Sequence, residues 1–281
     1  MMNNLIRSLL FVPGSKPERF EKALNAGADL VCIDLEDAVL PSDKHTAREA
    51  ASSAVRQFGR KLCVRVNPLS SPLGVDDLVS LAKVQPQFVM LAKCDSVEHI
   101  DNACEQLENT ETRIIALIET IEGLAQAANI AARSDRVAAL MFGGADMSAE
   151  LRCDFSYEPL LHTRSQLVLA AAKAGVDLID VPFVDIKDDA GLLAETQKIK
   201  ALGFTAKAAI HPCQINTIHR AFCPTDAQIE KARAIQNAVN GQDDAGVVVV
   251  NGQMVDRPII LAAKRTLQLA SAADNEHVNE E

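Results

Sequence analysis

Eight short runs of apolar and β-branched residues recur along the chain: Ser8–Val12, Leu30–Leu35, Leu62–Asn67, Phe88–Ala92, Ile114–Ile118, Ala138–Phe142, Leu178–Asp180 and Ala206–Ile210. Between them lie amphipathic or alanine-rich segments, among them Lys16–Ala26, Lys44–Phe58, Val97–Leu107 and Glu158–Ala174. Runs that are apolar throughout, rather than alternating, suit parallel strands covered on both faces. A strand-then-helix rhythm of eight periods predicts an α/β fold, a (β/α)8 TIM barrel rather than an open doubly wound sheet. No Gly-x-Gly-x-x-Gly turn follows the first run, which removes the usual dinucleotide-binding signal.

The rhythm breaks near the end. Val247–Val250 reads as a strand, Asn251-Gly252 as a turn dipeptide, and a helix is expected from about Pro258, with a frayed acidic end over Ala273–Glu281. The expected organisation is one TIM-barrel domain over residues 1–281, in which the stretch from about 241 to 281 is a C-terminal hairpin and helix appendage.

Composition narrows the function classes. A chain of 281 residues, 48% hydrophobic, is long enough for one large core. Its net charge of −10 argues against a nucleic-acid partner, which needs a clustered basic face. Lys16, Arg19 and Lys22 do cluster, but three cations suit a small anionic ligand better than a polymer. The seven cysteines include no C-x-x-C pair, and Cys32 and Cys63 sit inside strand-like runs, so reduced thiols are expected. The apolar run Leu5–Val12 is interrupted by Arg7, is too short for a membrane span and lacks the form of a secretory signal. A cytoplasmic protein with no membrane association is the expectation.

In a barrel of this kind, active sites are built where strands end. The second run ends in Asp34-Leu-Glu-Asp37, the third in Arg65-Val-Asn67, the fourth in Lys93, and the fifth in Glu119-Thr120. The sixth ends in Gly143-Gly-Ala-Asp146, the seventh in Asp180, and the eighth in His211-Pro212. Seven consecutive strands would thus present polar groups at one face. Any one of these acids could be only a helix cap. Glu119 is harder to explain that way, because it directly follows Ile114–Ile118 and a lone buried carboxylate costs several kcal/mol. Asp146 follows a Gly-Gly turn that lets backbone approach a ligand closely. Two carboxylates on adjacent strands, without histidine, suit a hard cation such as Mg²⁺; the competing reading is ion pairing with Arg65 or Lys93.

At this point the sequence resembles the citrate lyase β-subunit-like branch of the HpcH/HpaI aldolase superfamily. The matching stretches run from Arg7-Ser-Leu-Leu-Phe-Val-Pro-Gly14 and Pro17-Glu-Arg-Phe20 through Asp34-Leu-Glu-Asp-Ala-Val39 to Val64-Arg-Val-Asn-Pro68. They continue with Ala116-Leu-Ile-Glu-Thr120, Phe142-Gly-Gly-Ala-Asp-Met147, Tyr157-Glu-Pro-Leu-Leu-His-Thr-Arg164, Ile210-His-Pro212 and Gly252-Gln-Met-Val-Asp256. The resemblance implies a TIM barrel and a homo-oligomer, a trimer or a multiple of one. It implies Glu119 and Asp146 as Mg²⁺ ligands and Arg65 as the grip on the oxo-acid part of the substrate. It also implies Phe11, Arg19, Lys22, His211 and Pro212 as contacts for coenzyme A carried by the substrate. Asp256 would be a tail carboxylate reaching a neighbouring subunit's active site. Many relatives carry glutamate where this chain has Ala145, a departure that spares the metal ligand but touches its surroundings.

The activity so implied is Mg²⁺-dependent cleavage of a short 3-hydroxyacyl-CoA thioester into an acetyl thioester and a 2-oxo acid. Catalysis is assigned to Asp256, Arg65 and Asp37, with Asp37 organising Arg65 or the metal's water. Citramalyl-CoA is favoured over malyl-CoA or a citryl thioester. A thioesterase, a class II aldolase acting on free hydroxy-oxo acids, and a non-catalytic CoA-binding subunit are the competing functions. From the residues alone, Asp256 could equally cap a helix before Arg257-Pro258, His211 could be a capping or packing side chain, and Tyr157 could simply open a helix.

Overall fold

In the computed structural model, residues 6–59, 62–239, 248–250 and 253–277 are described. Contacts divide the chain into one unit over residues 6–218 and a second from residue 219 onward.

The first unit is a closed barrel of eight parallel strands in the order β1 to β8. The strands are β1 (Ser8–Pro13), β2 (Leu30–Asp34), β3 (Leu62–Val66), β4 (Phe88–Leu91), β5 (Arg113–Ile118), β6 (Val137–Phe142), β7 (Asp177–Asp180) and β8 (Ala206–Ala209). Around them stand α1 (Phe20–Leu24), α2 (Lys44–Phe58), α3 (Pro72–Ala82), α4 (Val97–Gln106), α5 (Ile121–Ala131), α6 (Gly144–Leu151), α7 (Leu161–Ala174) and α8 (Asp189–Leu202). All eight expected strands are present, and the barrel is the one the apolar rhythm predicts. The helix expected over Lys16–Ala26 is shorter: a 3₁₀ turn at Pro17–Arg19 leads into α1, which ends before Gly27 takes a left-handed φ of 79°.

The barrel interior is filled by Leu9, Cys32, Cys63, Met90, Ile115, Leu117, Met141, Ile179 and Ala208 among others. Side chains alternate along a strand, so residues two positions beyond this core form the next layer toward the carboxyl ends. On five strands that layer is Phe11, Asp34, Arg65, Glu119 and Gly143. The cysteines are all free thiols, and Cys32, Cys63 and Cys94 are buried.

After α9 (Ile215–Phe222), the second unit contains α10 (Asp226–Ala238), the antiparallel pair β9 (Val248–Val250) and β10 (Gln253–Val255), and α11 (Arg257–His277). Its own small core joins Ala232, Ile235, Val239, Val255, Ile260 and Ala263. The expected hairpin and helix are there, while Asn251-Gly252 lies outside the described residues. α11 continues to His277, over part of the stretch expected to fray, and residues 278–281 of that stretch lie outside the described residues. Among the described residues, no helix is long and apolar enough to cross a membrane.

Candidate active site at the carboxyl ends of the strands

Arg65 organises one half of the upper layer. β2 and β3 pair with Asp34 opposite Arg65, and the two side chains meet in a two-pronged contact. Arg65 Nε donates to Asp34 Oδ1 and Nη2 to Asp34 Oδ2, both at 2.7 Å. Nη1 lies 3.1 Å from Glu36 Oε2 and 3.8 Å from Asp37 Oδ2. The ring of Phe11 packs on the guanidinium. Lys44 reaches back from α2 and donates to the carbonyls of Leu35 and Glu36, fixing the loop that follows β2. Burial alone would lower the Arg65 pKa, but hydrogen bonding and charge contact with Asp34, then Glu36, outweigh it and raise it. For Glu36, burial dominates over the attraction of Arg65 and pushes the carboxyl up to about 7, helped by Asp37 and Asp34.

Glu119 organises the other half. It is buried, and its Oε1 accepts the backbone N–H of Lys93 at 2.8 Å. Lys93 holds a left-handed φ of 48°, a conformation that costs a non-glycine residue roughly 1–2 kcal/mol. Burial raises the Glu119 carboxyl to about 8 against the lowering effect of the Lys93 hydrogen bond, with Asp146 and Glu36 adding to the rise. Asp146 sits in the first turn of α6, half exposed, with Oδ1 3.8 Å from the Lys93 ammonium. Lys93 therefore touches both acids, one through its backbone and one through its side chain, and the ion pairing with Lys93 that competes with a metal reading is present at Asp146. Gly143 is required here: a Cβ at this position would lie 2.8 Å from Glu119 Oε2 and closer still to its Cβ. Among the described residues, no three His, Cys, Asp or Glu side chains gather as a metal-binding group.

A cavity of about 430 Å³ opens beside this layer, lined by Phe11, Arg19, Lys22, His211 and Pro212 together with Leu10, Val12, Pro13, Ala23 and Ile210. Phe11, Arg19, His211 and Pro212, from three separate sequence motifs, thus share one cavity with Lys22. His211 has a capping role as well: its Nδ1 accepts the backbone N–H of Cys213 and lies 3.0 Å from the Cys213 Sγ.

Some expectations shift. Asp37 is mostly exposed and is the most distant of the three acids near Arg65; Asp34 and Glu36 are its close partners. Both lie in the strand-end motif Asp34-Leu-Glu-Asp37, where nothing in the sequence distinguishes them from helix caps. Asp180 does not join the upper layer. Ile179 faces the barrel interior, so Asp180 points the opposite way, toward Arg164 on α7 and Lys207. Asp256 belongs to the second unit, where its Oδ1 accepts the Ile259 N–H at 3.5 Å at the start of α11.

The description "HpcH/HpaI aldolase/citrate lyase" fits residues 7–212, matched by that family's model. The β subunit of citrate lyase from Leuconostoc mesenteroides subsp. cremoris is 32% identical, covering 96% of each chain. Human mitochondrial citramalyl-CoA lyase is 30% identical over 95% of this chain and 86% of its own. Among solved structures, protein CitE from Mycobacterium tuberculosis in complex with magnesium, acetoacetate and coenzyme A superposes with a TM-score of 0.81 at 32% identity, covering 95% of this chain and 99% of that one. By sequence and by fold alike, the chain belongs to the HpcH/HpaI aldolase/citrate lyase family of carbon–carbon lyases.

Proposed function

We propose that this chain is a Mg²⁺-dependent lyase that cleaves a short 3-hydroxyacyl-CoA thioester, with citramalyl-CoA favoured, into an acetyl thioester and a 2-oxo acid. The observation that carries this reading is the approach of the Glu119 and Asp146 carboxylates to the same residue, Lys93, in the layer that also holds Arg65. The donors fit magnesium. Both are hard carboxylate oxygens, Gly143 leaves Glu119 the room a side chain would take, and a buried carboxylate is favoured by a cation beside it. Glu119 and Asp146 would hold the ion. When bound, Mg²⁺ supplies Lewis acidity to a substrate carboxylate and its neighbouring hydroxyl.

The chain's own residues complete the chemistry. The hydroxyl gives up its proton to solvent, from which Asp256 is reprotonated after each turnover, and as the carbon–carbon bond breaks the hydroxyl-bearing carbon becomes the carbonyl of the 2-oxo acid. The bonding pair leaves with the acetyl-thioester carbon as an enolate. Arg65 has five N–H donors; Asp34 takes one from Nε and one from Nη2, and Glu36 faces Nη1. The second hydrogens of Nη1 and Nη2 are left for the oxygen that gains negative charge. With Asp34 and Phe11 holding it still, Arg65 reorganises little as that charge develops. Asp37, 3.8 Å from Arg65 Nη1, would help to hold the guanidinium in place. The cavity beside Phe11, with the cations Arg19 and Lys22, would take the coenzyme A portion, and His211 and Pro212 would form its far wall. Asp256, delivered by a neighbouring subunit of a homotrimer or a multiple of one, would protonate the enolate carbon.

The human relative's name favours citramalyl-CoA, and the Mycobacterium tuberculosis complex supports the metal and the coenzyme. The test is incubation of pure protein with citramalyl-CoA, malyl-CoA and citryl-CoA, with Mg²⁺ or with EDTA. Pyruvate and acetyl-CoA formed only with Mg²⁺ are expected from the first. Free CoA without any 2-oxo acid would mean thioester hydrolysis instead, and no Mg²⁺-dependent product from any ester would overturn the reading.

A further inference from the structure

A buried charge network lies behind the barrel wall, away from the upper layer. Arg164 on α7 is 1% exposed, and its Nε donates to Asp180 Oδ1 at 2.9 Å. Lys207, fully buried, donates to Asp180 Oδ2 at 2.7 Å, to Glu195 Oε1 at 2.8 Å and to the Val181 carbonyl at 2.8 Å. Asp180 is therefore served without Arg164. The Arg164 Nη1 is buried and has no hydrogen-bond partner among the described residues. Ion pairing alone does not explain why so large a cation is buried here.

Its stacking does. The Arg164 guanidinium lies 5.0 Å from the centroid of the Phe142 ring and 5.3 Å from that of Tyr157. Phe142 is the last residue of β6 and immediately precedes Gly143-Gly144, while Tyr157 lies in the connection between α6 and α7. The two rings thus flank α6 in the chain, one before it and one after it. A Cβ built on Gly144 would lie 3.0 Å from both the Phe142 and Phe155 rings, so the start of α6 is packed tightly against this cluster. Lys198 lies 4.8 Å from the Tyr157 ring and also pairs with Glu158.

We infer that Arg164 is a positioning residue whose planar face clamps the two chain segments bracketing α6 and so holds Asp146 at the site. The inference rests on the metal reading proposed above for Asp146, but the clamp itself can be measured without metal. Removing Arg164 leaves Asp180 paired with Lys207, so Arg164→Met should still fold. Arg164→Lys retains a cation for Asp180 but loses the planar face. Ile100→Ala, a buried truncation on α4, serves as a destabilised control.

The experiment measures amide hydrogen exchange of residues 144–151 in the metal-free protein, well below each variant's melting temperature, and Mg²⁺ binding by calorimetry. Tyr157 is the only tyrosine in a chain without tryptophan, so intrinsic emission reads its ring directly. Arg164→Met and Arg164→Lys should both exchange several-fold faster across α6 than Ile100→Ala, and should weaken Mg²⁺ binding by roughly ten-fold. Tyr157 emission should differ from that of wild type in both arginine variants and not in Ile100→Ala. Exchange across α6 no faster than in the control, or wild-type exchange in Arg164→Lys, would overturn the clamp. If wild-type protein binds no Mg²⁺, the metal reading falls, and exchange across α6 still decides whether Arg164 holds that helix.

Discussion

The ring of Phe11 lies with its centroid 5.3 Å from the guanidinium carbon of Arg65, and the same ring lines the cavity beside the barrel mouth. One aromatic side chain therefore joins the two halves of the proposed site, the oxo-acid grip and the coenzyme cavity. Phe11→Ala should lower kcat/KM for a CoA thioester by roughly two- to thirty-fold, the range expected for loss of a cation–π contact. Both parameters should move, since the coenzyme loses a wall and Arg65 loses its stacking partner. Phe11→Tyr keeps the stacked face and should retain most activity. Steady-state kinetics with the thioester would reject the link if Phe11→Ala changed KM alone.

Glu119→Gln and Asp146→Asn each remove an anionic donor while keeping side-chain size. Mg²⁺-dependent turnover should fall by at least roughly 100-fold, the upper end of what losing even an outer-shell partner costs. Thermal unfolding followed by circular dichroism should show that both variants remain folded. Wild-type rates in either one would remove that residue from the metal assignment.

Gly143→Ala places a methyl group where Glu119 already stands. Either Glu119 or the turn into α6 must shift, and overpacking of this kind typically costs 1–3 kcal/mol. The expected result is a modest loss of unfolding free energy in urea together with a much larger loss of Mg²⁺ affinity. Equal affinity in the two proteins would show that Glu119 does not need its present position to bind the ion.

Much of this arrangement was legible in the chain. Parallel strands covered on both faces are apolar throughout, so all eight could be read without an alignment. Glu119 stands out because a carboxylate directly follows the apolar run Ile114–Ile118, whereas the role of Arg65 is legible only through the family resemblance. What could not be read is register. Asp34 is the principal partner of Arg65 only because β2 and β3 align those two positions, a relation that no single strand contains. Parity was equally hidden: Asp180 ends its strand as Asp34 does, yet it faces α7 rather than the upper layer. The arginine on α7 that answers it was read only as part of a motif.

The stability of the metal-free protein should depend on Glu36. Burial, the main cause, raises this carboxyl from 4.5 to about 7 in the folded chain. The folded state therefore binds the proton more tightly than the unfolded state does. The resulting stabilisation is complete below about pH 4.5 and is lost as pH rises through about 7. Glu36→Gln removes that slope. Relative to wild type, the variant should gain roughly 1–3 kcal/mol between pH 5 and pH 8. Urea midpoints at the two pH values, in EDTA, give the difference directly; parallel pH profiles would show that Glu36 is already ionised in the folded state at pH 5.

The remaining assignment, Asp256, is open to a genetic form of test. Within its own unit this residue caps α11, so a defect in Asp256→Asn could come from the cap alone. Caps act within one chain, whereas the proposed proton transfer acts between chains. Arg65→Ala destroys one part of the site and leaves the tail intact; Asp256→Asn does the reverse. Each variant alone should be nearly inactive. Mixed oligomers, formed by unfolding and refolding the two together or by co-expression, contain pairings in which an intact Arg65 meets an intact Asp256 from a neighbour. Activity should reappear in the mixture and be absent from either parent treated alone. A mixture as inactive as its parents, with size-exclusion chromatography showing that mixed oligomers had formed, would confine Asp256 to capping its own helix.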